Sequence, residues 1–186
     1  MNDERASQSA APATPERRIG VLFVCLGNIC RSPLAEGVFR ELIRRARLAE
    51  RFHIASAGTS DYHTGESPDR RTAEVAQRRG IVLDHAAAQI RPQDLDRFDY
   101  VLAMDRQNLS RIQRLAGGRP HRARVALLRT FEDDVGAGEL EVPDPYFGGP
   151  RGFEDVHDMV ERACTGLLEH IRRSELAVER VDVEDS

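Results

Sequence analysis

Short apolar segments of strand length alternate with amphipathic segments of helical length along most of this chain. The apolar segments are at 19–24, 52–58, 99–105 and 124–129. Helical periodicity follows them at 33–48, 67–80, 108–118 and 153–173. Continuous apolar strands connected by helices are typical of parallel sheets that are covered on both faces. The alternation therefore predicts an α/β fold, with a parallel sheet flanked by helices on both faces.

Capping residues and periodicity assign several helix ends and faces. Ser67 is predicted to be an N-cap, with Pro68 in the first turn and Gly80 as the C-cap. The helix at 108–118 is expected to stop at Gly117 and Gly118. The face of the first helix that packs on the sheet is predicted to be Leu34, Val38, Leu42 and Ala46. The inner face of the last helix is predicted to be Phe153, Val156, Val160, Ala163, Leu167 and Ile171.

The 186 residues are enough for one domain, which is predicted to span 18–173. Residues 1–17 consist largely of Ala, Ser, Pro and charged residues without periodicity, so they are predicted to be a disordered arm. The acidic segment 174–186 is predicted to be a flexible tail.

Composition and charge exclude several classes of protein. The formal net charge of −4 argues against a general nucleic-acid-binding protein. The longest apolar run, GVLFVCLG, is well below the roughly 20 residues of a membrane span. No secretory signal is recognisable, so the cytoplasm is the expected location unless the protein is exported by a route without a signal peptide. Three cysteines do not make a disulfide framework, and no His, Cys or Asp cluster has the spacing of a metal site.

A cysteine directly follows the first strand, and an arginine ends the loop that this cysteine begins. In the segment CLGNICRSPLAEG, five residues separate Cys25 from Arg31, and Pro33 opens the next helix. Ligands of open α/β sheets bind beyond the carboxyl ends of the strands, where this loop lies. Gly27 is predicted to supply a positive φ, so that the amides from Leu26 to Arg31 point inward and bind an anion.

The same loop has the side chains of a phosphate-binding nucleophile. A thiol at a helix N-terminus beside a cation is expected to be a thiolate, which Ser32 could stabilise by donating a hydrogen bond. Arg31 offers a planar guanidinium that matches two phosphate oxygens. Asn28 is predicted to brace the backbone of its own loop. A buried strand-end cysteine before an unrelated helix cap is the alternative, and the order strand, Gly, Asn, Arg-Ser-Pro and helix argues against it.

Several segments of the sequence resemble the low-molecular-weight protein tyrosine phosphatase family. They are CLGNICRSPLAEG, SAGTSDYHTGESPD, VLAMDRQNL and VPDPYFGG with FEDV. The resemblance covers about 19–172 and implies a four-stranded parallel sheet of the flavodoxin-like, phosphotyrosine protein phosphatase I type. It implies phosphotyrosine hydrolysis through a phosphocysteine on Cys25, with no metal and no cofactor. It also implies that the phosphate-binding residues are Leu26, Gly27, Asn28, Ile29, Cys30 and Ser32, together with the catalytic Arg31.

A phenolate leaving group needs a proton, which a thiolate cannot supply. Asp144 lies between two prolines in EVPDPYFGGP, and a neighbouring phosphate dianion would favour its protonated form. An Asp-Pro pair alone is only a turn signal. Because it matches the Asp-Pro-Tyr motif of the family, Asp144 is predicted to be the general acid and then the general base.

Aromatic residues near these motifs are predicted to wall a phosphotyrosine crevice. The resemblance implies this role for Tyr62, Tyr146 and Phe147, although some relatives have Trp in place of Tyr62 and Tyr in place of Phe147. Without the resemblance they would be ordinary surface or core aromatics. His63 could face the same crevice, or it could be a solvated loop histidine.

The other cysteines and a second aspartate have less specific interpretations. Cys30 could form a reversible disulfide with oxidised Cys25, or it could simply pack under the helix. Cys164 is predicted to be a core residue. Asp105 is predicted to be a helix cap or a loop brace rather than a second acid.

Three other functions compete with tyrosine phosphatase activity. Thioredoxin-coupled arsenate reduction needs further cysteines, and residues 67–98 contain none. Phosphoarginine hydrolysis is associated with Thr in place of Ile29, so Ile29 favours tyrosine. A non-catalytic phosphate-binding module would be expected to lack Cys25, Arg31 or Asp144.

The resemblance also implies the class of partner. The expected substrate is a phosphotyrosine-containing protein, such as a bacterial tyrosine kinase or, after export, a host protein. Neither a nucleic acid nor a membrane is an expected partner, and the protein is expected to be a monomer or a weak dimer.

Overall fold

The computed structural model describes residues 17–176 apart from 137, 148 and 150, and it does not describe the side chain of Phe147. Most of the predicted N-terminal arm and residues 177–186 of the predicted tail therefore lie outside the described residues. Arg17 is described, and its guanidinium is 2.9 Å from a carboxylate oxygen of Asp99. At the other end a π-helical turn, Arg172–Leu176, extends into the segment predicted as a tail.

A four-stranded sheet organises the described part of the chain. All neighbouring strands are parallel, and their order is β2-β1-β3-β4. This is the order of flavodoxin-like doubly wound sheets, as expected from the sequence. The strands are β1 Ile19–Cys25, β2 Phe52–Gly58, β3 Tyr100–Ala103 and β4 Arg124–Leu127.

Helices cover both faces of the sheet. They are α1 Arg31–Arg45, α2 Arg70–Arg78, α3 Asp94–Arg97, α4 Arg106–Ala116 and α5 Gly152–Ile171. Short 3-10 turns lie at Ala49–Arg51, Leu128–Phe131 and Pro145–Phe147. No helix among the described residues is long and apolar enough to cross a membrane.

The central strand β1 contributes to two cores because successive side chains alternate between its faces. Val21, Phe23 and Cys25 belong to the core that α1 and α5 complete. Leu22 and Val24 belong to the core that α3 and α4 complete. Burying both faces requires the continuous apolar run that the sequence shows, and it leaves Cys25 at the carboxyl end of the strand.

The predicted helix faces are confirmed. All six residues predicted for the inner face of α5 are buried. In α1, Leu34 and Val38 are buried, whereas Leu42 and Ala46 are partly buried against the same core. The helix begins at Arg31, earlier than its apolar periodicity suggested, because the loop runs straight into its first turn.

The predicted start of α2 is wrong by two residues. The N-cap is Asp69 rather than Ser67, and Pro68 precedes the helix. The Asp69 carboxylate accepts a hydrogen bond from the Arg71 amide at 2.9 Å, while the Asp69 amide donates to the carbonyl of Ile29 at 2.7 Å. The helix therefore starts where its cap can also bond to the Cys25 loop.

The two helix ends predicted at glycines hold, whereas α1 ends at Arg45 rather than at residue 48 and two strands are shorter than predicted. Gly80 has a φ of 79°, and it follows α2 with the paired backbone hydrogen bonds of a Schellman motif. Gly117 has a φ of 61° and caps α4. Strand β3 stops at Ala103 because Asp105 is already the N-cap of α4, and β4 stops at Leu127 because a 3-10 turn follows.

Candidate active site

The loop between β1 and α1 forms the floor of a cavity of about 180 Å³. Most of the residues that the sequence analysis selected line this cavity, although they come from separate segments of the chain. The lining residues are Cys25, Leu26, Gly27, Ile29, Cys30, Arg31, Tyr62, His63, Asp144 and Tyr146. Asn28 and Ser32, also predicted to bind phosphate, are fully buried and bond to the loop from within.

Cys25 lies at the base of the cavity with polar groups around its sulfur. Its Sγ is 3.0 Å from the Ser32 hydroxyl oxygen. The backbone amide of Asn28 donates a hydrogen bond to Sγ at 3.3 Å. Helix α1 begins at the end of the same loop, so its N-terminus lies near the sulfur. A helix N-terminus attracts anions, which suits a nucleophile that attacks a phosphate group.

The predicted role of Gly27 is wrong, because the positive φ of the loop belongs to its neighbour. Asn28 has a φ of 58°, in the left-handed region that Asn tolerates better than most residues. Gly27 is required for a different reason. A Cβ atom at this position would lie 2.8 Å from Cδ2 of His63, so a larger residue would require the imidazole to shift.

The Asn28 side chain bonds to other segments rather than to the backbone of its own loop as predicted. Its Nδ2 donates to Ser32 Oγ at 2.8 Å and to Ser56 Oγ at 3.0 Å. Its Oδ1 accepts from the Ala88 amide at 2.8 Å. Asn28 therefore joins the loop to strand β2 and to the segment after α2.

Behind Asn28 is a buried polar layer that sequence reasoning missed. The Ser56 hydroxyl donates to a Glu36 carboxylate oxygen at 2.7 Å. Nε2 of His85 is 3.0 Å from the Asn28 carbonyl oxygen. Burial opposes the charge of Glu36, but its contacts with His85, Ser56 and Arg40 outweigh burial and hold the pKa of Glu36 below the ordinary value. The signal in the sequence was slight: one serine in the mostly apolar strand FHIASAG.

A second loop, at the end of β2, packs directly on the Cys25 loop. The amides of Thr59 and Ser60 donate to the carbonyls of Cys25 and Leu26 at 2.9 and 3.0 Å. Gly58 makes this approach possible, since a Cβ there would be 2.8 Å from the Leu26 carbonyl oxygen. The backbone of the loop is thus held from outside as well as by its own turn.

Arg31 is buried, and its guanidinium has three oxygen acceptors. Nη1 donates to Asp105 at 2.7 Å and to the Val142 carbonyl at 3.1 Å. Nη2 donates to Asp144 at 3.0 Å. Burial opposes the charge, but Cys25, Asp144 and Asp105 outweigh this effect and raise the pKa of Arg31. Arg31 is therefore a fixed cation whose orientation is set from two sides.

Asp105 has the capping role predicted for it and a second role that was not predicted. Its Oδ1 accepts from the Asn108 amide at 2.7 Å, which caps α4. Its Oδ2 binds Arg31. Asp105 does not line the cavity, so it positions the guanidinium rather than acting as a second acid. Sequence position gave no sign of this contact, since 74 residues separate the pair.

Asp144 lies at the edge of the cavity with its side chain 35% exposed. Its Oδ1 accepts a hydrogen bond from the Tyr146 amide at 3.0 Å, and Pro145 begins the 3-10 turn that follows. The carboxylate is thus oriented by local structure while it remains open to solvent and to a ligand.

The aromatic residues are arranged partly as predicted. Tyr62 and Tyr146 both line the cavity, and they are 76% and 47% exposed. Arg71 stacks between Tyr146 and Phe153, with ring-centre distances of 5.2 and 4.5 Å. His63 also lines the cavity, with Nδ1 2.9 Å from Glu66, rather than pointing away as a solvated loop residue. The Phe147 side chain, the third predicted wall, lies outside the described residues.

The other two cysteines are buried free thiols. Burial raises the pKa of the Cys30 thiol to about 12. Cys30 packs with Val75 and Phe153 while also lining the cavity. Burial likewise raises the pKa of Cys164, which lies in the core between α1 and α5 as predicted.

These residues can carry out a two-step phosphoryl transfer. The cavity holds a sulfur nucleophile, a guanidinium that can bind two phosphate oxygens, and a carboxyl group that can exchange a proton with a leaving group. The aromatic residues at its edge suit a flat aryl group.

Comparison with known proteins agrees with this chemistry. The family model for low molecular weight phosphotyrosine protein phosphatase matches residues 20–177. A low molecular weight protein-tyrosine-phosphatase of Streptomyces coelicolor is 47% identical over 152 residues, which are 82% of this chain and 93% of that protein.

Solved structures give the same result. The crystal structure of YfkJ from Bacillus subtilis matches with a TM-score of 0.81 and 38% identity, covering 87% of this chain and 99% of that one. The structure of DARP, drosophila arginine phosphatase, matches with a TM-score of 0.77 and 30% identity, covering 83% and 99%. This chain belongs to the low-molecular-weight phosphotyrosine protein phosphatase family.

Proposed function

We propose that this protein hydrolyses phosphotyrosine in protein substrates through a phosphocysteine intermediate. The observation that supports this most directly is that Cys25, Arg31 and Asp144 line one cavity although they come from two distant segments. Family membership provides the reaction class, and the geometry suggests which residue performs each step.

In the first step the Cys25 sulfur attacks phosphorus, and the bond from phosphorus to the phenolic oxygen breaks. Arg31 binds two of the equatorial oxygens, and the loop amides bind the remaining charge. Asp144 donates its proton to the leaving phenolate. The products of this step are neutral tyrosine and a phosphocysteine.

In the second step water hydrolyses the phosphocysteine. Asp144, now a carboxylate, takes a proton from the water as its oxygen bonds to phosphorus. The bond between sulfur and phosphorus breaks, which regenerates the Cys25 thiolate and releases phosphate. The guanidinium and the amides stabilise the charge in both steps, so the mechanism requires no metal ion.

The preference for tyrosine is supported by the residues around the cavity. Tyr62 and Tyr146 can stack on an aryl ring that a phosphoserine lacks. Ile29 lies in the lining, where Thr is associated with phosphoarginine phosphatases. The likeness to an arginine phosphatase makes phosphoarginine the second candidate substrate class.

We infer that Cys30 protects Cys25 from over-oxidation by forming a disulfide with it. Both thiols line the same cavity, and both are free.

The proposed setting is the cytoplasm, with a tyrosine kinase as the expected protein substrate, or a host protein if the phosphatase is exported. The proposed phosphatase domain spans residues 18–173.

The test is a panel of matched phosphotyrosine, phosphoarginine and phosphoserine peptides, run beside thioredoxin-coupled arsenate reduction. We expect turnover of phosphotyrosine well above that of the others, and no arsenate reduction. Ile29→Thr is the matched variant and should shift the ratio toward phosphoarginine.

The variant Cys25→Ser should abolish turnover while phosphotyrosine peptide still binds. Appreciable residual turnover would show that Cys25 is not the nucleophile. Phosphoarginine turnover above phosphotyrosine in the wild type would reassign the substrate class.

A further inference from the structure

A buried histidine outside the active site has no hydrogen-bond partner among the described residues. His157 of α5 is 0% exposed, and neither of its ring nitrogens bonds to another group. In either neutral tautomer, one ring nitrogen of an imidazole carries a lone pair that can bind a ligand. Burying an imidazole without a hydrogen-bond partner lowers the stability of a fold. The unpaired nitrogen is therefore a candidate ligand atom.

Two carboxylates lie beside this nitrogen. Asp158 and Glu161 follow on the same helix, and each side chain is about half exposed. One nitrogen of His157 and one oxygen from each acid all lie within 4.8 Å of one another. His157 and Glu161 are four residues apart, which places them on one face of α5.

The guanidinium of Arg79 already contacts both carboxylates. Arg79, the C-cap of α2, places Nη1 2.5 Å from Asp158 and 3.7 Å from Glu161. Its Nη2 is 3.1 Å from Glu154. A guanidinium has only donors and could bond to a neutral imidazole nitrogen, yet His157 receives no such bond. Arg79 therefore neutralises the acids and leaves the nitrogen unused.

We propose that His157, Asp158 and Glu161 form a binding site for a divalent transition-metal ion such as Zn²⁺, which competes with Arg79 for the two carboxylates. One imidazole and two carboxylates make a donor set that zinc accepts, with water in the remaining position. Hard cations such as Mg²⁺ and Ca²⁺ prefer oxygen donors throughout, so the buried nitrogen selects against them.

The distances require only small movements. With metal–ligand bonds of about 2.0–2.2 Å, two donors on one ion lie at most about 4.4 Å apart. The exposed side chains of Asp158 and Glu161 can close this difference by rotation, while His157 stays fixed by its burial. Arg79 would keep its contact with Glu154, so metal binding would remove the ion pairs of Arg79 with Asp158 and Glu161 but not the one with Glu154.

Calorimetric titration with Zn²⁺ tests this site in the full chain. Cys25→Ser serves as the background, because it removes the active-site thiolate as a competing zinc ligand. We expect one ion per chain in this background. His157→Phe and Glu161→Gln should each weaken binding at least tenfold, whereas Arg79→Gln should tighten it several-fold. Glu169→Gln removes the same charge elsewhere on α5 and should change nothing.

The Arg79 variant separates a metal site from a purely structural ion pair. If the cluster were only structural, Arg79→Gln would lower stability without any gain in zinc affinity. Absence of zinc binding in the background protein, or binding that both His157→Phe and Glu161→Gln leave intact, would overturn the proposal. If circular dichroism shows that His157→Phe does not fold, Glu161→Gln, an exposed position, decides the question.

Discussion

The residues at the floor of the active-site cavity are almost completely buried, whereas those at its rim are largely open to solvent. Cys25 and Arg31 are both 3% exposed, but Tyr146 is 47% and Tyr62 is 76% exposed. The floor is held by hydrogen bonds to β2, to the segment after α2 and to Asp105. The rim is held mainly by local turns and stacking. Phosphate recognition is thus fixed in advance, while leaving-group recognition remains adaptable.

If the floor is fixed in advance, the largest effect should come from changing the shape of its cation. Arg31→Lys keeps the charge but loses the planar pair of donors. We expect kcat/KM for phosphotyrosine peptide to fall by about 10³-fold, because both the paired contact to phosphate and the fixed orientation are lost. Steady-state kinetics measure this. A fall in kcat/KM of less than tenfold would mean that a positive charge of any shape at position 31 is enough to bind the phosphate.

Replacing the acid at the rim should produce a smaller effect that depends on the substrate. Asp144→Asn should slow aryl phosphates with poor leaving groups by about 10²-fold, because they need a proton from the enzyme. Activated aryl phosphates should be affected much less.

The matched control for the acid is Asp105→Asn, since Asp105 also binds Arg31 but does not line the cavity. It should slow both kinds of substrate equally. Equal losses in Asp144→Asn would assign Asp144 to the positioning of Arg31 and leave the acid unidentified.

Cys30 lies in the buried loop at the floor of the cavity, and the rate at which it forms a disulfide should depend on pH. After peroxide converts Cys25 to a sulfenic acid, the Cys30 thiolate attacks that sulfur, which forms a disulfide and releases hydroxide. Because the pKa of Cys30 is about 12, its thiolate fraction, and with it the rate of disulfide formation, should rise about tenfold per pH unit between about pH 7 and pH 9.

Mass spectrometry of quenched samples follows this disulfide. Cys164→Ser should behave like the wild type, because that thiol lies in the core between α1 and α5. Cys30→Ser should instead proceed to the sulfonic acid. A rate that does not change with pH would mean that Cys30 is not the attacking thiol.

The smallest effect is expected from the buried layer behind the floor. Ser56→Ala removes one hydrogen bond to Glu36 and one from Asn28, and it should lower the free energy of unfolding by about 1–2 kcal/mol. Turnover should fall only a few-fold, because Asn28 keeps Ser32 and Ala88 as partners. Chemical denaturation and kinetics measure the two effects. Ser110→Ala, on the surface of α4, is the control and should change neither.

The sequence could predict the floor because its residues are contiguous. A cysteine after a strand, an arginine before a helix and the residues between them lie in one segment, so local rules were enough. The alternation of strands and helices likewise predicted the sheet and the buried faces of α1 and α5. The sequence could not show which residue takes the positive φ, since Gly27 and Asn28 both tolerate it.

The contacts that sequence analysis missed join residues far apart in the chain. Three contacts are of this kind: Asp105 with Arg31, Ser56 with Asn28, and His85 with the loop. Each depends on how distant segments pack, which no local sequence pattern predicts. The α2 cap moved from Ser67 to Asp69 for the same reason, because the Asp69 amide also bonds to Ile29. In the sequence, His157, Asp158 and Glu161 look like ordinary residues of an amphipathic helix. Only the structure shows that His157 is buried.

The contact between Arg31 and Asp144 joins the group that binds phosphate to a group at the rim of the cavity. Nη2 of Arg31 donates to Asp144 Oδ2 at 3.0 Å, and the same amino group is one of the two that a phosphate dianion would occupy. A substrate that takes this amino group would release Asp144 from the guanidinium. The carboxyl group would then be free to turn toward the oxygen of the leaving group. Phosphate binding would thus come before the acid moves into position.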